Sequence, residues 1–200
     1  ESLTELGAIM GSGGLVVMDD TTCMVDTARY FLDFVQNESC GQCTPCREGT
    51  GVMLSILDRI TRGEGRLDDI EQLIEIGNTI KQTALCGLGQ TGPNPVLSTI
   101  RHFRHEYETH INERKCPAMR CPALVAYRID RDSCLMCGSC MKNCPNDAIS
   151  GVRKKKSREG EPFSIISENC ARCGICYSVC PAGAVMKVPR FADRDASGAA

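Results

Sequence analysis

Along the first half of the chain, apolar side chains recur at the three-to-four residue spacing of amphipathic helices. Val25, Ala28, Leu32 and Val35 share one face, and after Cys46 the positions Met53, Ile56, Leu57 and Ile60 share another. The second helix should stop near Gly63 or Gly65. Asp68 with Glu71 three residues on resembles a capping box and opens a third helix lined by Ile70, Leu73, Ile74 and Ile80. After Pro93 and Pro95, the positions Val96, Ile100, Phe103 and Tyr107 mark a fourth. Four amphipathic helices on short loops predict a bundle over residues 23–110.

The flanks read differently. Leu3, Leu6, Ala8 and Ile9 suggest a helix end, Gly11-Ser12-Gly13-Gly14 a turn, and Leu15-Val16-Val17-Met18 a buried strand. Residues 1–22 are thus expected to end a preceding domain and link it onward. A phosphate loop would follow a strand and open a helix, the reverse of this order. Downstream, Ala148-Ile149-Ser150-Gly151-Val152 and Phe163-Ser164-Ile165-Ile166 read as strands joined by residues 153–161. Five basic side chains over 153–158 make either a solvated hairpin tip or a dock for an acidic partner. Residues 191–200 are expected to be disordered.

One cysteine pattern is written twice. Cys134, Cys137, Cys140 and Cys144, followed by Pro145, return as Cys170, Cys173, Cys176 and Cys180, followed by Pro181. Each run has the C-x-x-C-x-x-C-x-x-x-C-P spacing of bacterial two-cluster ferredoxins, in which the fourth cysteine ligates the other cluster. On that rule Cys134, Cys137, Cys140 and Cys180 hold one 4Fe-4S cube, and Cys170, Cys173, Cys176 and Cys144 hold the second. Zinc knuckles fit poorly, because structural zinc favours two short pairs set well apart.

A third triplet, Cys40, Cys43 and Cys46, has no cysteine three residues later; the next is Cys86. A triplet at the mouth of one helix and a single thiolate from the loop after the third would enclose another cube. The fold class is therefore α+β, a four-helix bundle carrying one 4Fe-4S cluster followed by a two-cluster ferredoxin-like domain over residues 126–190.

Composition narrows the class. Fifteen cysteines in 200 residues exceed what a short secreted disulfide scaffold would explain, and they read as ligands in a reducing cytoplasm. A net charge of -2 points to neither nucleic acid nor a membrane surface as the main partner. No apolar run reaches the roughly 18 residues of a membrane span. The chain opens on Glu1 without a signal-peptide pattern, so it is expected to be a piece of a longer polypeptide.

Three cubes leave Cys23, Cys116, Cys121 and His110. Three thiolates and an imidazole complete a tetrahedral zinc site, and the bland alternative is a buried small side chain, a surface histidine and two free thiols. If zinc binds, residues 111–125 form a metal-fastened hinge.

Glu38-Ser39-Cys40-Gly41-Gln42-Cys43-Thr44-Pro45-Cys46-Arg47-Glu48-Gly49, followed by the loop around Cys86, resembles the cluster-bearing helical domain of the NADH-oxidising flavoprotein subunit of respiratory complex I. That subunit lacks a two-cluster ferredoxin tail. The combination is similar to the beta subunit of NAD(P)-linked iron-iron hydrogenases, including electron-bifurcating ones, and to related formate dehydrogenases. The resemblance implies an oxidoreductase complex with FMN and NAD(P) bound in an N-terminal part outside these residues, and no catalytic residue within them. It also implies a zinc held by Cys23, His110, Cys116 and Cys121, and as partners an iron-iron hydrogenase subunit, a small 2Fe-2S subunit and soluble ferredoxin. The rival readings are a stand-alone ferredoxin-like carrier and a zinc-stabilised scaffold that conducts nothing.

Overall fold

Cys23 starts the first helix. Its backbone is extended and its sulfur accepts the Asp26 N–H at 3.5 Å, so a thiol serves as N-cap where a hydroxyl or carboxylate is usual. Helix α1 (Met24–Glu38) then buries Met24, Val25, Ala28, Leu32 and Val35, the expected stripe. The computed structural model describes residues 13–155 and 159–191. The chain divides into two units, Glu1–Arg120 and Cys121–Ala200.

In the first unit, a π-helical turn (Pro45–Gly49) leads into α2 (Thr50–Arg62), which buries Met53, Ile56, Leu57 and Ile60. Gly63, at φ 80°, ends it in the left-handed conformation that glycine adopts without steric cost. Helix α3 (Asp69–Thr83) buries Ile70, Leu73, Gly77 and Ile80. Gly77 belongs to this face because a β-carbon there would stand 3.0 Å from the Leu97 side chain. A short α4 (Gly87–Thr91) precedes α5 (Asn94–Asn112). Helix α1 packs on α2 and α5, and α3 packs on α2 and α5.

Three local expectations are corrected. Asp68 does not cap α3: its backbone is already helical and its side chain makes no cap bond. Its neighbour instead ties down the turn ahead of the helix: the fully buried Asp69 accepts the Arg66 N–H at 2.9 Å and is gripped by the Arg59 guanidinium. Phe103 leaves the apolar face of α5 because the helix kinks there (φ -131°, ψ 32°), and its ring is 39 % exposed. Tyr107, beyond the kink, is buried and shares a 2.8 Å hydrogen bond with the Thr99 hydroxyl. Finally, Leu15–Met18 is no buried strand. It has no partner strand among the described residues, and Leu15 and Val17 are each 86 % exposed. The expected helix end at Leu3–Ile9, the tip residues 156–158 and the tail 192–200 lie outside the described residues.

The second unit is built from a repeat of 36 residues, the interval from Cys134 to Cys170. Strand β1 (Val125–Ile129) pairs antiparallel with β4 (Val185–Pro189), and β2 (Ile149–Val152) pairs antiparallel with β3 (Glu161–Ile165). Single-turn helices α6 (Ser139–Lys142) and α7 (Ile175–Ser178) occupy equivalent places. The β2–β3 pair is irregular at Gly151, where φ is 148° and any β-carbon would fall 2.6 Å from the Phe163 ring. Ile129, Ile149, Phe163 and Val185 form the core with Cys140 and Cys176, so ligand-type residues and apolar residues share one interior.

Candidate metal centres

The two cysteine runs of the second unit converge on two cavities. One is lined by Cys134, Cys137, Cys140 and Cys180, the other by Cys170, Cys173, Cys176 and Cys144. Each cavity thus takes three cysteines from one run and the fourth from the other. None of the fifteen cysteines is in a disulfide.

The turns explain how three thiols reach each cavity. Met136 (φ 52°) and Gly138 (φ 79°) flank Cys137 in the left-handed conformation, and Arg172 (φ 57°) and Gly174 (φ 80°) flank Cys173 in the same way. Turns of this kind aim successive backbone N–H groups into a concavity suited to anions such as cluster sulfur. The Ala148 N–H reaches the Cys144 sulfur at 3.3 Å, and the Arg172 N–H reaches the Cys170 sulfur at 3.4 Å. Burial raises the Cys140 thiol and pushes Cys176 up to about 11, whereas the Ser139 N–H and hydroxyl lower Cys137. A bound iron would displace the protons of the buried thiols into solvent and hold them as thiolates despite their raised pKa. Sulfur donors, inward amides and a shared interior suit a 4Fe-4S group in each cavity.

In the first unit the structure brings the Cys86 loop against the Cys40 triplet. The Leu85 and Cys46 N–H groups lower the Cys43 thiol. Gly89, on the helix that Cys86 caps, lies against Cys46 with room for no side chain. Cys46 is buried inside the π-helical turn, its sulfur 3.3 Å from the Ser39 hydroxyl. Thr50 fastens that turn by donating to the Cys46 carbonyl at 2.5 Å. Cys40 and Cys86 are exposed. Four cysteines from two loops with backbone N–H donors to sulfur are a donor set that suits a third cube.

The remaining four residues are also gathered. Cys23, His110, Cys116 and Cys121 are all buried, and one ligand atom from each lies within 4.8 Å of the others. His110 Nδ1 is 2.7 Å from the Glu106 carbonyl, which can only accept, so Nδ1 carries the proton and Nε2 faces the Cys23 sulfur at 3.5 Å. A metal-ligating histidine commonly fixes its second nitrogen this way. Burial opposes charging this ring, but hydrogen bonds to Cys116 and Cys23 outweigh it and push His110 up to about 10. Glu106 also accepts the Met24 N–H at 3.0 Å, tying α5 to the start of α1. A buried Cys3His set with an oriented imidazole has the donors of structural zinc.

Several contributors have no clear mark in the sequence. Tyr127 lines the Cys170 cavity from β1, where Val125, Tyr127 and Ile129 alternate with smaller or polar neighbours, as strands do. Thr50 and Glu106 carry no sequence signal of their roles.

Comparison with known proteins follows the same division. The family described as NADH-ubiquinone oxidoreductase-F iron-sulfur binding region matches residues 26–110, and the 4Fe-4S dicluster domain matches residues 127–188. The NADP-reducing hydrogenase subunit HndC of Solidesulfovibrio fructosivorans is 53 % identical over 78 % of this chain and 32 % of its own length. An F-type subunit of the NADH-quinone oxidoreductase of Rhizobium meliloti is 44 % identical over 58 % of this chain and 28 % of its own. A solved NAD+-reducing [NiFe]-hydrogenase in the H2-reduced state matches at 33 % identity and a TM-score of 0.46, over 48 % of this chain and 16 % of that one. The chain spans about a third of the length of the curated relatives it matches. Among the described residues no helix is long and apolar enough to cross a membrane.

Proposed function

We propose that this chain, whose residues 26–110 match the iron-sulfur binding region of the NADH-ubiquinone oxidoreductase F subunit and whose residues 127–188 match a 4Fe-4S dicluster domain, is an iron-sulfur electron-transfer region that relays single electrons between an FMN elsewhere in its protein and an external acceptor or donor. The observation that carries this reading is the crossed grouping of Cys144 with the Cys170 run and of Cys180 with the Cys134 run. Such grouping suits two cubes in one folded unit.

Bound 4Fe-4S clusters supply one-electron chemistry, while a flavin handles the two-electron exchange with NAD(P)H. Cys40, Cys43, Cys46 and Cys86 would hold the cube of the helical unit, and the helices would act as a four-helix bundle that fixes it. Two further cubes would sit on the crossed sets of the second unit. Cys23, His110, Cys116 and Cys121 would hold a structural zinc, which takes no part in electron transfer because zinc has no redox chemistry. A hydrogenase complex is the favoured setting, because HndC is a hydrogenase subunit. The partners would then be an iron-iron hydrogenase subunit, a small 2Fe-2S subunit and ferredoxin.

The test is an anaerobic titration of the intact complex with NADH and NADPH, followed by electron paramagnetic resonance. Either nucleotide should reduce 4Fe-4S centres assigned to this chain. If dithionite reduces them and neither nucleotide does, the relay from nicotinamide through flavin is wrong.

A further inference from the structure

The 36-residue repeat makes the two ferredoxin-type cavities comparable position by position. Ile165 in one answers Ile129 in the other, Ile149 answers Val185, Ala148 answers Ala184, and Cys144 answers Cys180. Hydroxyl groups break the equivalence. Where the Cys134 cavity has Phe163, buried and apolar, the Cys170 cavity has Tyr127. Where the Cys170 cavity has Ile175, the Cys134 cavity has Ser139. Each cavity thus has one hydroxyl, supplied from a strand in one case and from a helix start in the other.

Both residues line the cavities that the thiols share. Ser139 stands in the Cys134 cavity two residues from Cys137, and its N–H and hydroxyl lower the Cys137 thiol. The Tyr127 hydroxyl lies over Gly174, so close that a β-carbon there would be 2.7 Å from the oxygen. It has no hydrogen-bond partner among the described residues, and the ring is braced by Tyr177 at a centroid distance of 6.3 Å. Cys170, Cys173 and Cys176 line the same cavity as the Tyr127 side chain.

We propose that Tyr127 and Ser139 set the reduction potentials of the two centres separately, each hydroxyl acting on the cluster held in its own cavity. The inference rests on the cluster assignment above. Reduction adds one electron to a cluster, and a hydroxyl donating to cluster or ligand sulfur stabilises the added charge and raises the potential. Both are positioning residues, since neither is a ligand.

The test is a redox titration of the intact complex followed by electron paramagnetic resonance, with the two waves assigned through Cys144→Ser and Cys180→Ser. Tyr127→Phe should lower the potential of the Cys170 centre alone, by about a tenfold change in its reduction constant, or roughly 59 mV for one electron. Ser139→Ala should lower the other alone, and Ser139→Thr, which keeps the hydroxyl, should restore it. Unmoved potentials in both variants, or both centres shifting together in either one, would overturn the proposal. Failure of the cluster assignment would look different, with no 4Fe-4S signal in the unmutated protein, and would remove both ideas.

Discussion

Gly89 and Cys46 touch so closely that a β-carbon on Gly89 would lie 3.3 Å from the Cys46 β-carbon and 3.6 Å from its sulfur. The same atom would stand 2.6 Å from the Ala84 β-carbon, a separation that forces backbone to move. The short helix after Cys86 is therefore keyed to the turn that carries Cys46. Gly89→Ala should spread the two loops and empty the centre of the helical unit. Iron should fall by about four atoms per chain, one cube's worth, while the ferredoxin-type signals persist. Full iron content in this variant would show that the loops need no such contact.

Crossed ligation makes a reciprocal prediction. Cys144→Ser should disturb the centre of Cys170, Cys173 and Cys176, although Cys144 belongs to the other run, and Cys180→Ser should disturb the centre of Cys134, Cys137 and Cys140. Resonance spectra of the two variants should each lose a different one of the paired signals. If each serine affected the centre of its own run, the pairing of cavities would be wrong.

The Cys3His set should bind about one zinc per chain. His110→Ala should abolish it, because the lost imidazole leaves three buried thiols without their fourth donor, and should lower stability by several kcal/mol, as loss of a structural metal does. Elemental analysis and thermal unfolding measure the two effects. A variant that is zinc-free yet as stable as the parent would reduce the cluster to ordinary buried side chains.

Much of this was legible in the cysteine spacing. Ligand runs carry a strong signal because a cube dictates which neighbours its thiolates may have, and the apolar stripes of α1, α2 and α3 follow the 3.6-residue period closely. What stayed hidden depends on contacts across the chain. The kink at Phe103 interrupts a stripe that looks continuous. Asp68 and Asp69 are indistinguishable as letters, yet only the second finds Arg59. Leu15–Met18 has the composition of a strand and lacks a partner among the described residues. Strands β1 and β4 are short and separated by most of the unit, so neither gives a local hairpin signal.

The Asp69 to Arg59 pair supplies a test of the helical unit that involves no metal ligand. Asp69 is fully buried and Arg59 keeps partial contact with water, while the hydrogen bond to Asp69 raises the guanidinium above its usual value. Asp69→Ala leaves the guanidinium without its carboxylate and the Arg66 N–H without an acceptor. Breaking a buried pair on one side costs about 3 to 5 kcal/mol. Denaturant unfolding should show a loss near the lower end, because Arg59 can turn to solvent, and a loss under about 1 kcal/mol would mean the pair is ornamental.

All of these outcomes presuppose that the thiols hold inorganic clusters. The most direct check is iron and acid-labile sulfide per chain in protein prepared without oxygen. Three cubes require about twelve of each. About eight would mean that one of the three centres is missing, and several zinc atoms with no sulfide would contradict the electron-relay account altogether.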